Sequence, residues 1–112
     1  MEAKAEARYI RISPQKARLV VDLIRGQKAG AALSTLRATN KRIAPTVEKV
    51  LQSAIANVQD RFEDVDVDKL FVTECYVNEG PRMKRVRPAP MGRAYRYQRR
   101  MAHIVVMVGD KN

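Results

Sequence analysis

Apolar positions recur every three to four residues in three stretches of the chain and alternate or run unbroken in three others. Residues Glu2-Ala3-Lys4-Ala5-Glu6-Ala7-Arg8-Tyr9 alternate charged with small or aromatic side chains and run into Ile10-Arg11-Ile12. This period of two predicts a strand, although the alanines could also support a helix. Ser13-Pro14 then supplies an N-cap and a proline for the first helical position, and Ala17, Val20, Val21 and Ile24 follow at i, i+3, i+4 and i+7. Gly26 ends that helix. A second helix is expected from about Ala29 to Ala38 with Ala32, Leu33 and Leu36 buried, weakened by Gly30. The third has the clearest stripe: Val47, Val50, Leu51, Ala54, Ile55 and Val58, between about Ile43 and Arg61. Pro45 fits only in its first turn.

Leu70 to Val77 and Ile104 to Val108 read as strands, the latter too apolar to expose a face along its whole length. Asp64-Val65-Asp66-Val67-Asp68 opens like a calcium-binding loop. Lys69 stands where that loop needs a glycine, however, and Cys75 where it needs a bidentate glutamate. The segment therefore reads as an acidic outer loop. Between the last two strands lie Asn78 to His103, with no helical pattern and no apolar set of their own. We expect both strands to continue outward as a two-stranded ribbon turning near Pro88-Ala89-Pro90-Met91-Gly92, because prolines and glycine suit a tip rather than a central strand. Ten residues per arm would carry it on the order of 30 Å.

Charge changes this picture from a small α+β domain to one with a specific kind of partner. The chain of 112 residues carries 22 Lys and Arg against 12 Asp and Glu, a net charge of +10. Residues 1–79 hold thirteen basic and eleven acidic side chains, whereas residues 80–109 hold eight basic side chains and no carboxylate. Eight like charges without counter-charges are at home beside a polyanion. Composition otherwise sets bounds: 46% hydrophobic, 5% aromatic and no Trp predict a single aliphatic core. One cysteine excludes a disulfide framework and fits a reducing compartment, with Cys75 itself read as a small buried hydrophobe. No long apolar run suggests export or a membrane span.

The candidate contacts follow from these placements. Arg82, Lys84, Arg85, Arg87, Arg93, Arg96, Arg99 and Arg100 are expected to meet phosphates. By the period-two rule Arg93, Tyr95, Tyr97 and Arg99 share one face, with Arg96 and Arg100 on the other. Tyr95 and Tyr97 could stack on unpaired bases, or could pack across the ribbon against Val86 or Met83. Arg11, Ser13, Lys16 and Arg18 surround the start of the first helix, where the dipole favours an anion, although an ordinary cap also accounts for Ser13. His103 is tied to no nucleophile motif and reads as structural or as another RNA contact. There is no phosphate-binding loop and no paired-carboxylate arrangement, so neither an enzyme nor a cofactor is expected.

Four segments then resemble a known family, the bacterial large-subunit ribosomal protein twenty-two. They are SPQKARLVVDLIRG from Ser13, VEKVLQSAIAN from Val47, NEGPRMKRVRP from Asn78 and GRAYRYQRRMAHIVVMV from Gly92, in that order along nearly the whole chain. The resemblance implies three helices on a three-stranded antiparallel sheet, a single domain over 1–112 with an extended hairpin over about 79–100. It also implies binding to large-subunit rRNA, support of subunit assembly, and neighbouring ribosomal proteins as partners. On the same ground the hairpin tip, Met83 to Arg93 with Lys84, Arg85, Val86, Arg87, Pro88, Ala89, Pro90, Met91 and Gly92 between them, would line the nascent-peptide exit tunnel and meet the nascent peptide. The protein is expected in the cytoplasm, in the ribosome, and as a monomer when free. Ala89 and Met91 stand where such proteins often carry an arginine and a lysine, making this tip less basic. A DNA-bending architectural protein, which also joins helices to basic ribbon arms, is the alternative from another class.

Overall fold

The computed structural model describes residues 2–62, 65–80, 83–88, 94–99 and 101–110. In chain order they form strand β1 (Glu2–Ile10), helices α1 (Pro14–Ile24), α2 (Ala29–Ala38) and α3 (Ala44–Arg61), and a short 3₁₀ turn (Val67–Lys69). Strands β2 (Phe71–Glu79), β3 (Met83–Pro88), β4 (Ala94–Arg99) and β5 (Ala102–Gly109) follow. β1, β5 and β2 make an antiparallel sheet in that order, and β3 pairs with β4 in a separate two-stranded ribbon. The expected α+β architecture is thus present, with a long axis of 66 Å against 26 and 17 Å.

β5 is central for the reason its composition suggests: a strand apolar on both faces is stable only between two others. Its inner side chains Ala102, Ile104, Val106 and Val108 are fully buried. They meet Ala3 of β1 and Val72, Cys75 and Val77 of β2 beneath the helices. α3 packs over β1 and β5, and α1 over β2. The apolar stripes of α1 and α3 are buried position for position as the periodicity predicts. In α2 the burial falls on Ala29, Ala32 and Leu36, while Leu33 is only half-buried.

Three boundaries differ from the sequence reading. β1 stops at Ile10 rather than running to Ile12: Tyr9 adopts φ 58° and the Ile12 N–H donates back to the Ile10 carbonyl at 2.9 Å, so the chain folds over into α1. β2 begins at Phe71 and runs two residues beyond Val77, and β5 begins at Ala102. Third, the pairing of the hairpin is offset in register from that of the body strands. The last body pair is Glu79↔Ala102 and the first ribbon pair Met83↔Arg99. Three residues separate them on the outgoing side and two on the returning side. One extra residue there shifts the register by one, as a bulge does.

Both edges of the sheet are partly closed. On β2, Val72 exchanges hydrogen bonds with the Gly26 N–H (3.0 Å) and the Gln27 carbonyl (2.8 Å). Gly26, at φ 78°, provides the left-handed turn that brings this loop to the strand. Further along, Arg25, just past α1, and Arg18 of α1 donate to the Cys75 and Val77 carbonyls at 2.8 and 3.1 Å. On β1, Asn57 of α3 donates to the Lys4 carbonyl at 2.9 Å. An edge whose carbonyls are occupied by its own helices is a poor template for another strand.

Candidate nucleic-acid interface

The ribbon carries most of the expected contacts, and its register decides which of them share a face. Met83, Lys84, Arg85, Val86, Arg87 and Pro88 lie opposite Arg99, Gln98, Tyr97, Arg96, Tyr95 and Ala94. Residues directly opposite in an antiparallel pair occupy one face, and the face alternates along the strand. One face therefore holds Arg85, Arg87, Tyr95, Tyr97 and Arg99 together with Met83. The other holds Lys84, Val86, Arg96 and Gln98. Cations stand on both faces, and an arginine, not an apolar residue, stands opposite each tyrosine. The register puts Met83 on the face of the tyrosines and Val86 on the other. Of the sequence-predicted positions, Arg82, Arg93 and Arg100 lie outside the described residues, as do tip positions Ala89, Pro90, Met91 and Gly92.

The root of the ribbon is built more tightly. Gly80 donates its N–H to the Met101 carbonyl at 2.8 Å. A Cβ at Gly80 would lie 3.2 Å from both the Met101 Cβ and carbonyl oxygen and 3.3 Å from His103 Nε2, so the two arms approach closer than a side chain comfortably permits. His103 is half-buried on β5 and accepts the Tyr9 N–H at Nδ1 (3.1 Å), with the Tyr9 ring edge-on to it at 5.0 Å. An Nδ1 that accepts leaves the neutral ring its proton on Nε2. The structural reading of His103 is the one this geometry supports. Tyr9 itself is 60% exposed beside the ribbon root, a position the alternation of β1 did not single out.

On the body, Ser13 caps α1 by accepting the Lys16 N–H at 3.3 Å, and Pro14 fills the first turn. Arg11, Ser13 and Lys16 line one hollow together with Arg42, Ile43 and Thr46 from the start of α3. Arg18 points to the β2 edge instead, where its guanidinium holds the Val77 carbonyl. Arg42 and its neighbour Lys41 escaped the sequence reading, since nothing in the local pattern around α3 says that its first turn meets that of α1. Their adjacency, two cations directly before a helix start, was the available signal.

The remaining polar chemistry is structural. Cys75 is buried and donates through Sγ to the Val21 carbonyl at 3.4 Å. Burial pushes its thiol above the usual range, against the attraction of Arg25. Arg25 is held more firmly protonated than usual, chiefly by its hydrogen bond to Asp22 at 2.6 Å. Asp66 of the acidic loop caps the 3₁₀ turn by accepting the Asp68 N–H at 3.0 Å. No helix among the described residues is long and apolar enough to cross a membrane.

Comparison with known proteins agrees with this arrangement. The family described as Ribosomal protein L22p/L17e matches residues 5–109. The Large ribosomal subunit protein uL22 of Solibacter usitatus is 83% identical over 111 residues, which cover 99% of this chain and 98% of that protein. The protein of the same description from Koribacter versatilis is 51% identical, covering 99% of this chain and 69% of its own length. That from Staphylococcus haemolyticus is 53% identical over 98% of this chain and 93% of its own.

Proposed function

The chain belongs to the L22p/L17e family of ribosomal proteins, a component of the large ribosomal subunit and thus of the bacterial cytoplasm, and from that premise we propose that it binds large-subunit rRNA chiefly through its hairpin. The observation that carries this reading is the unbalanced charge of residues 80–109: eight cations, no carboxylate. Five of those cations, Lys84, Arg85, Arg87, Arg96 and Arg99, are spread over both faces of the β3–β4 ribbon. A ribbon that is cationic on both faces suits a cleft walled by phosphates on either side better than a single flat surface. In this reading Tyr95 and Tyr97, each in register opposite an arginine, stack on unpaired bases while the arginines meet phosphates.

In this reading the body docks on the subunit, the hairpin threads into folded RNA, and its tip, Met83 to Arg93, lines the exit tunnel and meets the nascent peptide. The protein is a structural constituent that supports assembly rather than an enzyme, and it is monomeric when free. Family membership favours this over the DNA-bending alternative. The test of RNA binding is salt dependence with the isolated protein and deproteinised large-subunit rRNA. If about six hairpin cations meet phosphates, the slope of log K against log salt is roughly −4 to −5. A slope near −1 overturns the hairpin as the main electrostatic contact. For the tip, a stalled nascent chain bearing photoreactive residues should cross-link within 83–93. Cross-links confined to other tunnel proteins would remove the tip from the wall.

A further inference from the structure

Two hollows adjoin on the body where the first turns of α1 and α3 come together. The first, about 530 Å³, is lined by Ile10, Arg11, Ile12, Ser13, Lys16, Arg42, Ile43 and Thr46. The second, about 370 Å³, shares Ile12, Lys16, Arg42 and Ile43 with it and adds Leu19, Val20 and Lys41. Both volumes fall within the range of clefts that hold small ligands, roughly 300–1,000 Å³. The two differ in chemistry. The first offers two hydroxyls, Ser13 and Thr46, among three cations. The second offers no hydroxyl but an apolar floor and the side chain of Leu19, which is 60% exposed.

Charge complementarity says what this groove takes. Arg11, Lys16, Lys41 and Arg42 rim it, and no carboxylate lines either hollow. Elsewhere on the body three cations stand beside acids, Arg8 with Glu6, Arg25 with Asp22 and Arg37 with Glu48. Among the described residues none of the four groove cations has an acidic partner. The starts of two long helices open on the same side and add to the positive potential. An anion alone would explain the rim but not the apolar hollow beside it, with an exposed leucine at its edge. An apolar ligand would explain the floor but not four unpaired cations.

We propose that the groove seats one unpaired nucleotide of the large-subunit rRNA, its phosphate in the first hollow against Lys16 and Arg42 and its base in the second, on Ile12 and Ile43 beside Leu19. This deepens the rRNA-binding reading and rests on it. It gives the body an RNA contact independent of the hairpin, of the kind that extruded bases make with protein surfaces.

The experiment uses the full chain and deproteinised large-subunit rRNA. The Lys16→Ala/Arg42→Ala double variant removes two phosphate partners that are exposed and not part of the core. Its salt slope should be shallower by about 0.7 to 0.9, and its affinity near 0.15 M salt about four- to six-fold weaker. Leu19→Ala should weaken binding several-fold at an unchanged slope. With rRNA carrying 4-thiouridine, photo-cross-links should appear in the tryptic peptides 12–16, 19–25 or 43–49. Circular dichroism on each variant checks that the fold is retained. Wild-type binding with a full slope, together with groove variants that match it, overturns the groove while leaving the hairpin reading intact. Failure of the wild type to bind rRNA overturns both. In assembled subunits, a zero-length cross-link from Lys16 to a carboxylate of a neighbouring ribosomal protein would also overturn it, by naming a different occupant.

Discussion

In residues 1–79 thirteen cations share the chain with eleven carboxylates, and several pair off across the surface of the body, as Arg25 with Asp22 and Arg37 with Glu48. Residues 80–109 hold eight cations and contain no carboxylate of their own. The difference in packing runs parallel. The body buries 24 residues in one cluster beneath three helices, whereas the ribbon is two strands paired with each other, an arrangement at best marginally stable alone in water. The body can therefore be understood as a folding unit, held by apolar burial that salt scarcely touches. In the proposed reading the hairpin is a binding unit, whose affinity depends on a polyanion outside the chain. Stability and binding should consequently separate under mutation, and the following changes test how cleanly they do.

The largest effect is expected from the hairpin. Replacing Arg85, Arg87, Arg96 and Arg99 together by alanine should lower rRNA affinity by about two to three orders of magnitude near 0.15 M salt, with the salt slope shallower by roughly 3 to 4. Thermal unfolding of the body should not move. A large drop in melting temperature would show that the ribbon contributes to the body's stability, and the comparison would fail.

The reverse experiment acts on the core. Leu51 of α3 is fully buried, and Leu51→Ala should cost on the order of 3 kcal/mol of folding stability, from lost burial and the cavity left behind. Titrations below the new melting transition should return the wild-type salt slope.

Gly80→Ala probes the joint between the two units. Its methyl group would press on Met101 and the His103 ring, at a cost of about 1 to 3 kcal/mol if the neighbours cannot give way. Chemical-shift changes should centre on Met101, His103 and Tyr9. If the root aims the hairpin, affinity falls at unchanged slope. If affinity is unaltered, the ribbon finds its site without guidance from the joint.

The smallest expected effect decides the role of Arg18. Its guanidinium bonds the Val77 carbonyl, so Arg18→Ala should cost about 1 kcal/mol of stability. If edge capping is its whole role, the salt slope stays as it was. A slope shallower by about 0.8 would show that the same side chain also reaches a phosphate.

Much of this molecule is determined by local pattern. The stripes of α1 and α3, the cap at Ser13, the turn at Gly26 and the central, two-sided apolar character of β5 are written in residues a few positions apart. The pattern states directly which face is buried. The charge asymmetry between body and hairpin is likewise a property of composition, complete before any folding. Tertiary structure decided what depends on residues far apart in the chain. It set the one-residue register shift between body and ribbon, because register follows from which residues pair, and Gly80 could be placed against Met101 only once they did. It put Arg18 and Arg25 on the β2 edge, against carbonyls fifty-nine and fifty positions further along the chain. And it brought Lys41 and Arg42 to Arg11 and Lys16, because the packing of α1 and α3 on one sheet sets their first turns side by side. Periodicity names the face a helix buries, but not which neighbour's charges stand beside its exposed end. That is settled by the way apolar faces fit together.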